Sequence, residues 1–267
     1  MIHGLGWLFT VSIFQPLLNG LLAIQKFMPG HDLGLAIIIL TLLIKFILYL
    51  PSLSAIRASR QLQTLQPKLK AIQAQYKDNR EQLAQAQMKL YRDSRVNPLS
   101  SCLPMLIQLP IFIGLYQVFI SGLKIDGHGI LQGSVLNHIY PFLRGYYEQT
   151  PINTMFLHLM NLAKAGNIIL ALAAGLAQFW QAKMLAAPPE PKIPEAKDES
   201  LTSATNKQMT YLLPIFTAYI AYKFPAGLAL YWFVQSAFTV VQQYLFLRTH
   251  PIKSDNNHQP QLNAPQP

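Results

Sequence analysis

The apolar run that begins at Leu33 constrains the fold most, because it is long enough to cross a bilayer and carries a cation. A helix rises 1.5 Å per residue, so about 20 apolar residues cross a hydrocarbon core of about 30 Å. Thr41 and Lys45 interrupt an otherwise apolar stretch from Leu33 to Leu48. A lysine near the bilayer centre costs about 2.5–3.5 kcal/mol. The run holds no Asp or Glu, so we expect Lys45 to face water in a polar cavity within the membrane.

Composition supports a membrane protein. Of the 267 residues, 51% are hydrophobic and 12% are charged, whereas soluble domains carry about 25% charged residues. The single cysteine excludes an internal disulfide and a cysteine-rich metal cluster. We expect no nucleotide, metal or other cofactor and no bond-changing catalysis, so the chain is not predicted to be an enzyme.

Five segments have the length and hydropathy of membrane-spanning helices. The last two are joined by the turn signal Phe224-Pro-Ala-Gly227 and should form a helical hairpin. The predicted fold class is an all-α membrane protein with five transmembrane helices. Their approximate bounds are 33–53, 99–120, 166–184, 208–222 and 226–247.

The basic residues are distributed unevenly around these spans, which predicts the topology. Nine lie in the loop 54–98, four flank the loop after the third span and two follow the fifth, whereas five lie on the other side. Lys and Arg concentrate in cytoplasmic loops. We therefore expect the N-terminus outside and the C-terminus in the cytoplasm, which an odd number of spans requires.

Residues 1–32 are predicted to form an amphipathic helix in the outer interface. Ser12, Gln15, Asn19 and Lys26 recur at steps of three, four and seven, so they line one face of a helix. The alternative is a sixth span, which would break the agreement with the charge distribution.

A cytoplasmic helical hairpin is predicted within 54–98, with its turn at 78–80 and Pro67 in the first turn of its first helix. Its simplest role is to set topology, but its basic charge could also meet anionic lipid or a ribosome. The loop 186–207 is Pro-, Glu- and Lys-rich and is predicted to be a flexible linker. We expect 248–267 to be a disordered cytoplasmic tail, with 33–247 as the core. The hairpin residues expected to recruit partners are Arg57, Arg60, Lys68, Lys70, Lys77 and Arg80.

These features together resemble the YidC-type membrane protein insertases. Leu40-Thr-Leu-Leu-Ile-Lys45 is similar to the family's first core span, and Phe224-Pro-Ala-Gly-Leu-Ala-Leu-Tyr-Trp232 with Gln242-Gln243 is similar to its last. The matching segments follow the family's order across most of 33–247. The remaining ones are 65–70, 76–78 and 88–92 in the hairpin, and 96–99 and 102–116 at the second span.

The resemblance implies a membrane protein insertase and chaperone in a bacterial plasma membrane. Hydrophilic tails of nascent membrane proteins would enter a hydrophilic groove, and their transmembrane helices would pass into lipid along the third and fifth spans. The lipid bilayer, a ribosome and a Sec-type translocon are the other expected partners, and direct DNA binding is not expected. The predicted groove residues are Lys45, Thr41, Gln108, Gln178, Gln235, Tyr231 and Trp232.

Most of these residues also have a simpler interpretation. Lys45 could snorkel toward the cytoplasmic interface, and Thr41 could bond to its own helix. The glutamines could join helices, and the aromatic pair could serve packing, although the resemblance favours Trp232 as a contact for sliding substrate.

The chain departs from the family pattern in several places. Lys45 stands where arginine is usual, and Gln235-Ser236 replaces a Ser-Asn pair. The family's large extracytoplasmic domain and the span before it are expected to be absent, which makes this a short form. The C-terminal tail is short and nearly neutral, so tail-mediated ribosome binding is not expected.

Three other classes of protein compete with the insertase, and an intramembrane protease is largely removed because no histidine and no carboxylate pair lies in a predicted span. A polytopic transporter or channel would explain a polar cavity, but the spans lack Asp and Glu for an ion pathway. A structural subunit of a membrane assembly is excluded least well by the sequence.

Overall fold

The computed structural model describes residues 2–76, 79–97, 103–125, 128–185 and 208–249, and this part of the chain is mostly helical. The predicted linker 186–207, Lys77, Cys102 and the tail beyond residue 249 lie outside the described residues. In chain order the helices are α1 Ile2–Phe9, α2 Gln15–Phe27, α3 Leu33–Ile47, α4 Tyr49–Gln75, α5 Arg80–Asp93, α6 Leu103–Gln117, α7 Gly133–Leu136, α8 Pro141–Tyr147, α9 Ile168–Leu185, α10 Leu213–Lys223 and α11 Ala226–Thr249. Three π-helical turns, at Thr10–Phe14, Val118–Gly122 and Gln208–Leu212, continue or precede these helices.

The predicted first span is broken. α3 ends at Ile47, and α4 begins at Tyr49 after a bend of 66°. Pro51 lies in the first turn of α4, where its missing N–H costs no helical hydrogen bond. The expectation of one helix over 33–53 was therefore wrong, and the chain changes direction close to Lys45.

Two consecutive helices occupy the region predicted as a hairpin, and the first is longer than expected. α4 runs from Tyr49 to Gln75 and packs on α5. Pro67 lies inside this helix and not in its first turn, which corrects the sequence interpretation. Asn79 caps α5 by accepting a hydrogen bond from Gln82 N at 3.1 Å, as short polar residues commonly do at a helix N-terminus.

The N-terminal helix turns its polar side chains toward the protein. Asn19 is 2% exposed and donates to His138 O at 2.8 Å, and it accepts from Tyr140 N at 2.7 Å. Gln25 is 1% exposed and donates to His31 O and Asn153 O. The Asn19 amide thus has both its donor and its acceptor paired, whereas the Gln25 amide is paired through Nε2 and its Oε1 has no partner among the described residues. Asn19, from the predicted polar face, and Gln25 therefore dock this helix on residues 138–153, whereas Ser12 of the same predicted face is exposed.

The same helix crosses α6 steeply. Side chains of Ile13 and Leu17 approach Gly114, and those of Phe14 and Leu18 approach Gly122. Gly122 lies eight residues after Gly114, along α6 and the π-helical turn that follows it. The side chains that contact these two glycines lie only one residue apart along the N-terminal helix. Because each residue advances a helix by about 1.5 Å, the two axes cannot be near parallel.

A short β-hairpin lies between α8 and α9. Met155–Phe156 (β1) pairs antiparallel with Met160–Asn161 (β2). Asp32 ties this hairpin to the start of α3, since its carboxylate accepts from Leu35 N at 3.0 Å and from Leu157 N at 2.6 Å. One side chain thus caps a helix and anchors a loop.

The buried core is formed by α2, α3, the α6 segment, residues 131–162 and the facing sides of α9 and α11. α9 packs against both α10 and α11, and α11 packs against α3. Large apolar side chains also cover much of the outer surface of α6, α9 and α10. Such extended apolar surface is unusual for a soluble monomer and indicates contact with lipid or protein.

By length and composition, the helix from Gly6 to Phe27 could cross a membrane, and the bent pair α3–α4 would be a second span if its halves are counted together. Among the described residues no further helix meets both conditions, and the apolar stretches Leu106–Gly122 and Ile168–Met184 are shorter. The fold is thus mostly helical as expected, while the arrangement of five spans stays a prediction.

Candidate functional site

A cavity of about 70 Å³, largely apolar in surface but bordered by several polar side chains, lies where α3, α4, α6, α9 and α11 meet, close to the bend at Leu48. This volume holds several water molecules, since one water needs roughly 10–15 Å³ of such space. Leu48, Ile56 and Ile107 form much of its apolar wall. The polar side chains that line it are Lys45, Ser52, Ser59, Gln108, Gln181, Gln235, Thr239 and Gln243.

Lys45 is the cation of this cavity. Its side chain is 9% exposed, and Nζ donates to Thr239 Oγ1 at 3.0 Å. The Thr239 hydroxyl donates in turn to Gln235 O at 2.9 Å. Among the described residues no carboxylate pairs with Lys45, and an ammonium has three donors. Two of its N–H groups therefore have no partner in the described part of the protein.

An amide network connects three helices beside the cavity. Gln235 Nε2 donates to Gln108 Oε1 at 3.3 Å, and Gln108 Nε2 donates to the hydroxyl of Tyr231. Ser236 Oγ donates to Gln178 Oε1 at 3.1 Å. The amides of α6 and α9 are therefore held on α11, which fixes the orientation of Gln108 and Gln235 at the cavity wall.

Three of the predicted groove residues, Lys45, Gln108 and Gln235, line this cavity together. Gln178 and Tyr231 are not among the lining residues and instead bond to residues of the amide network. Their expected contact with substrate stays a prediction.

Thr41 and Trp232 also lie away from the cavity lining. Thr41 is 2% exposed, and its hydroxyl donates to Ile37 O at 2.6 Å, within its own helix. Trp232 is half-buried, and its ring packs on Phe112 with centroids 5.0 Å apart. The Thr41 hydroxyl thus bonds within its own helix, which is the simpler of the two interpretations given for it. Any substrate contact of Trp232 would lie outside the cavity.

Sequence reasoning did not select Thr239, Gln243, Ser52 or Ser59. Thr239 and Gln243 follow Gln235 at steps of four, so a helical-face argument could have found them. Ser52 and Ser59 both belong to the start of α4, although the sequence placed Ser52 in the first span and Ser59 in the cytoplasmic hairpin. The bend at Leu48 brings this part of α4 to the cavity.

The basic residues of the hairpin differ in their surroundings. Arg57 and Lys68 are exposed, whereas Arg60 is half-buried and donates to Gln63 Oε1 at 3.0 Å. Partial burial lowers the pKa of Arg60 from its ordinary value. The side chains of Lys70 and Arg80, and the whole of Lys77, lie outside the described residues.

Comparison with known proteins identifies a family and relatives that this chain resembles. The family model described as the 60Kd inner membrane protein matches residues 23–254. Membrane protein insertases YidC from Francisella tularensis, from subspecies novicida strain U112 and subspecies tularensis strain SCHU S4, are each 35% identical over 215 residues. These matches cover 80% of this chain and 32% of each relative, so the chain spans about a third of their length.

The fold is also similar to a solved structure, the active YidC insertase with its first transmembrane domain resolved. The TM-score is 0.53 at 23% identity, over 90% of this chain and 46% of the other. The family match over most of the sequence and the identity to the curated relatives agree with this likeness in fold. The chain therefore belongs to the YidC-type family of bacterial inner membrane proteins.

Proposed function

We propose that this protein is a membrane protein insertase whose polar cavity receives the hydrophilic tail of a nascent membrane protein. The observation that carries the proposal is Lys45, a buried cation with one hydrogen bond and no carboxylate partner among the described residues. An unpaired buried charge is costly and usually marks a functional site in a membrane protein. Its unused N–H groups suit the carboxylates and carbonyls of an incoming polar segment.

The energy for insertion comes from the substrate. A substrate helix that leaves water for lipid gains about 25 cal/mol for each Å² of apolar surface removed from water. The polar cavity lowers the opposing cost, because the tail exchanges its hydration for Lys45 and the amides. The membrane potential adds about 2.3 kcal/mol per charge per 100 mV for acidic tails that move outward. No nucleotide or metal is required for this cycle.

The proposed topology has five spans, an outer N-terminus and a cytoplasmic hairpin. The N-terminal helix lies in the outer interface, which its steep crossing of α6 and its buried bonds to residues 138–153 support. The exposed basic side chains Arg57 and Lys68 face the cytoplasm, where they recruit anionic lipid, a ribosome or a Sec-type translocon. Arg60, Lys70, Lys77 and Arg80 are proposed to extend this surface.

Insertion into liposomes that contain only this purified protein tests the function. The substrate is a small single-span protein with an acidic N-terminal tail, and insertion is scored by protease protection. Wild type and Lys45→Arg should insert, and Lys45→Ala should fall toward empty liposomes at matched reconstitution. Equal insertion by all three would remove the role of Lys45, and no insertion above empty liposomes would refute the proposal in favour of a scaffold.

Cysteine labelling in cells tests the topology. In a Cys102→Ser background, a membrane-impermeant thiol reagent should label Ser134→Cys from outside and Arg92→Cys only after permeabilisation. Gly6→Cys separates the two placements of the N-terminal helix. Labelling from outside agrees with an interfacial helix, whereas labelling only from the cytoplasm would make Gly6–Phe27 a sixth span.

A further inference from the structure

Gln243 is a buried amide at the cavity with no hydrogen-bond partner among the described residues. Its side chain is 2% exposed and lines the cavity, and neither Oε1 nor Nε2 is satisfied there. Gln181, which lines the cavity from α9, has an unsatisfied Oε1 as well. Most buried amide groups in proteins are paired, so an unpaired one at a cavity calls for a partner from outside the protein, either water or a ligand.

The preceding residue provides the contrast. Gln242 is buried to a similar degree, at 4% exposure, but it accepts from Ser52 Oγ at 2.9 Å and donates to Tyr49 O. It is not among the residues that line the cavity. Two adjacent glutamines on one helix thus differ: Gln242 joins α11 to α4, whereas Gln243 lies at the cavity with its amide buried and without a partner among the described residues.

The chemistry of a free amide defines its ligand. Glutamine presents one acceptor and one NH₂ group side by side, and a peptide unit presents one N–H and one C=O. An extended segment can therefore pair with Gln243 through its main chain, whatever its side chains are. Lys45 and Gln243 differ in this respect, since an ammonium only donates and favours acidic groups.

We propose that Gln243, assisted by Gln181, is a binding site for the peptide main chain of an extended substrate tail. This inference rests on the proposed insertase function and adds to it: Lys45 favours acidic tails, while Gln243 holds any tail by its backbone. Recognition of the main chain suits a protein that handles many sequences, because every residue except proline carries the same donor and acceptor.

The experiment uses the full-length protein in liposomes and an acidic-tailed single-span substrate with a photo-crosslinker in its tail. A second version of the substrate carries N-methylated amides over the tail, which removes N–H donors but keeps the side chains. Variants Gln243→Met and Gln242→Met are compared with wild type. Crosslinking to α6 and α11, insertion and the midpoint of thermal unfolding are measured for each.

Gln243→Met should reduce crosslinking roughly ten-fold, as expected for the loss of two hydrogen bonds. Its unfolding midpoint should stay equal or rise, because methionine leaves no polar atom unpaired. N-methylation should weaken crosslinking in wild type and have no further effect in Gln243→Met. Gln242→Met should lower the midpoint and keep crosslinking.

Two results would overturn the inference and leave the insertase intact. One is equal crosslinking by wild type and Gln243→Met while both insert, which would mean that the amide meets only solvent. The other is an equal N-methylation penalty in both proteins. Absence of crosslinking and insertion in wild type would reject the insertase function, and this inference with it.

Discussion

Lys45 and Thr239 are 194 positions apart in the chain, yet Lys45 Nζ donates to Thr239 Oγ1 at 3.0 Å. The bond joins α3 to α11 at the wall of the polar cavity. Removing the acceptor with Thr239→Val leaves a buried ammonium without its protein partner. We expect a loss of about 1.5–3 kcal/mol in the free energy of unfolding, the range for hydrogen bonds to charged groups.

A double-mutant cycle with Lys45→Met and Thr239→Val measures this interaction. The free energies of unfolding in detergent should show a coupling between the two positions, since Lys45→Met removes the ammonium that donates to Thr239. Thr41→Val is the matched control, because that hydroxyl bonds only within its own helix. Strictly additive effects at Lys45 and Thr239 would contradict the prediction.

Tyr231→Phe is predicted to destabilise the amide network. The Tyr231 hydroxyl accepts from Gln108 Nε2, and the side chain is 2% exposed. Loss of the hydroxyl leaves the donor of the half-buried Gln108 amide without this partner, at a cost of about 1 kcal/mol, the lower end of the range for unsatisfied buried groups. The midpoint of thermal unfolding should fall, whereas Tyr244→Phe, on the same helix but 47% exposed, should leave it within the error. Equal midpoints for the two variants would exclude a stabilising role for this bond.

Gly34→Ala is predicted to separate the β-hairpin from α3. A Cβ at this position would overlap the ring and Cβ of Phe156. Overpacking a core costs about 1–3 kcal/mol, which exceeds the gain of up to about 1 kcal/mol from alanine in a helix. Gly145→Ala meets no atom within 4 Å and serves as the control that should be neutral or stabilising. Phe156→Ala should partly restore the stability lost in Gly34→Ala. If it does not, overlap with Phe156 is not the cause of the destabilisation.

Asn19→Leu is predicted to release the N-terminal helix from the segment that it docks on. The change leaves Tyr140 N and His138 O without their partner, at about 1–3 kcal/mol for each unsatisfied group. Limited proteolysis should cut residues 128–165 faster than in wild type. Ser12→Ala, at an exposed position of the same helix, should not change the rate. Unchanged cleavage in Asn19→Leu would argue against docking.

Local pattern determined much of the fold. The apolar runs predicted most helices, and the cost of burying Lys45 predicted a polar cavity near it. These inferences succeed because helix periodicity and desolvation act on neighbouring residues, or on one side chain alone. The family resemblance was likewise carried by short segments in a conserved order along the chain.

Tertiary structure decided which polar groups meet. The bend at Leu48 turns α4 back to the cavity. No local rule distinguishes Gln243, which has no partner among the described residues, from Gln242, which is bonded to Ser52 190 positions away. Thr41 and Gln108 were equally plausible cavity residues in the sequence. In the structure, the Thr41 hydroxyl donates to a carbonyl of its own helix, whereas the Gln108 amide donates to the Tyr231 hydroxyl. The sequence by itself established a helical membrane protein with a buried cation. Packing between distant helices determined the partners of each buried polar group, because hydrogen bonds depend on distances that only the folded chain sets.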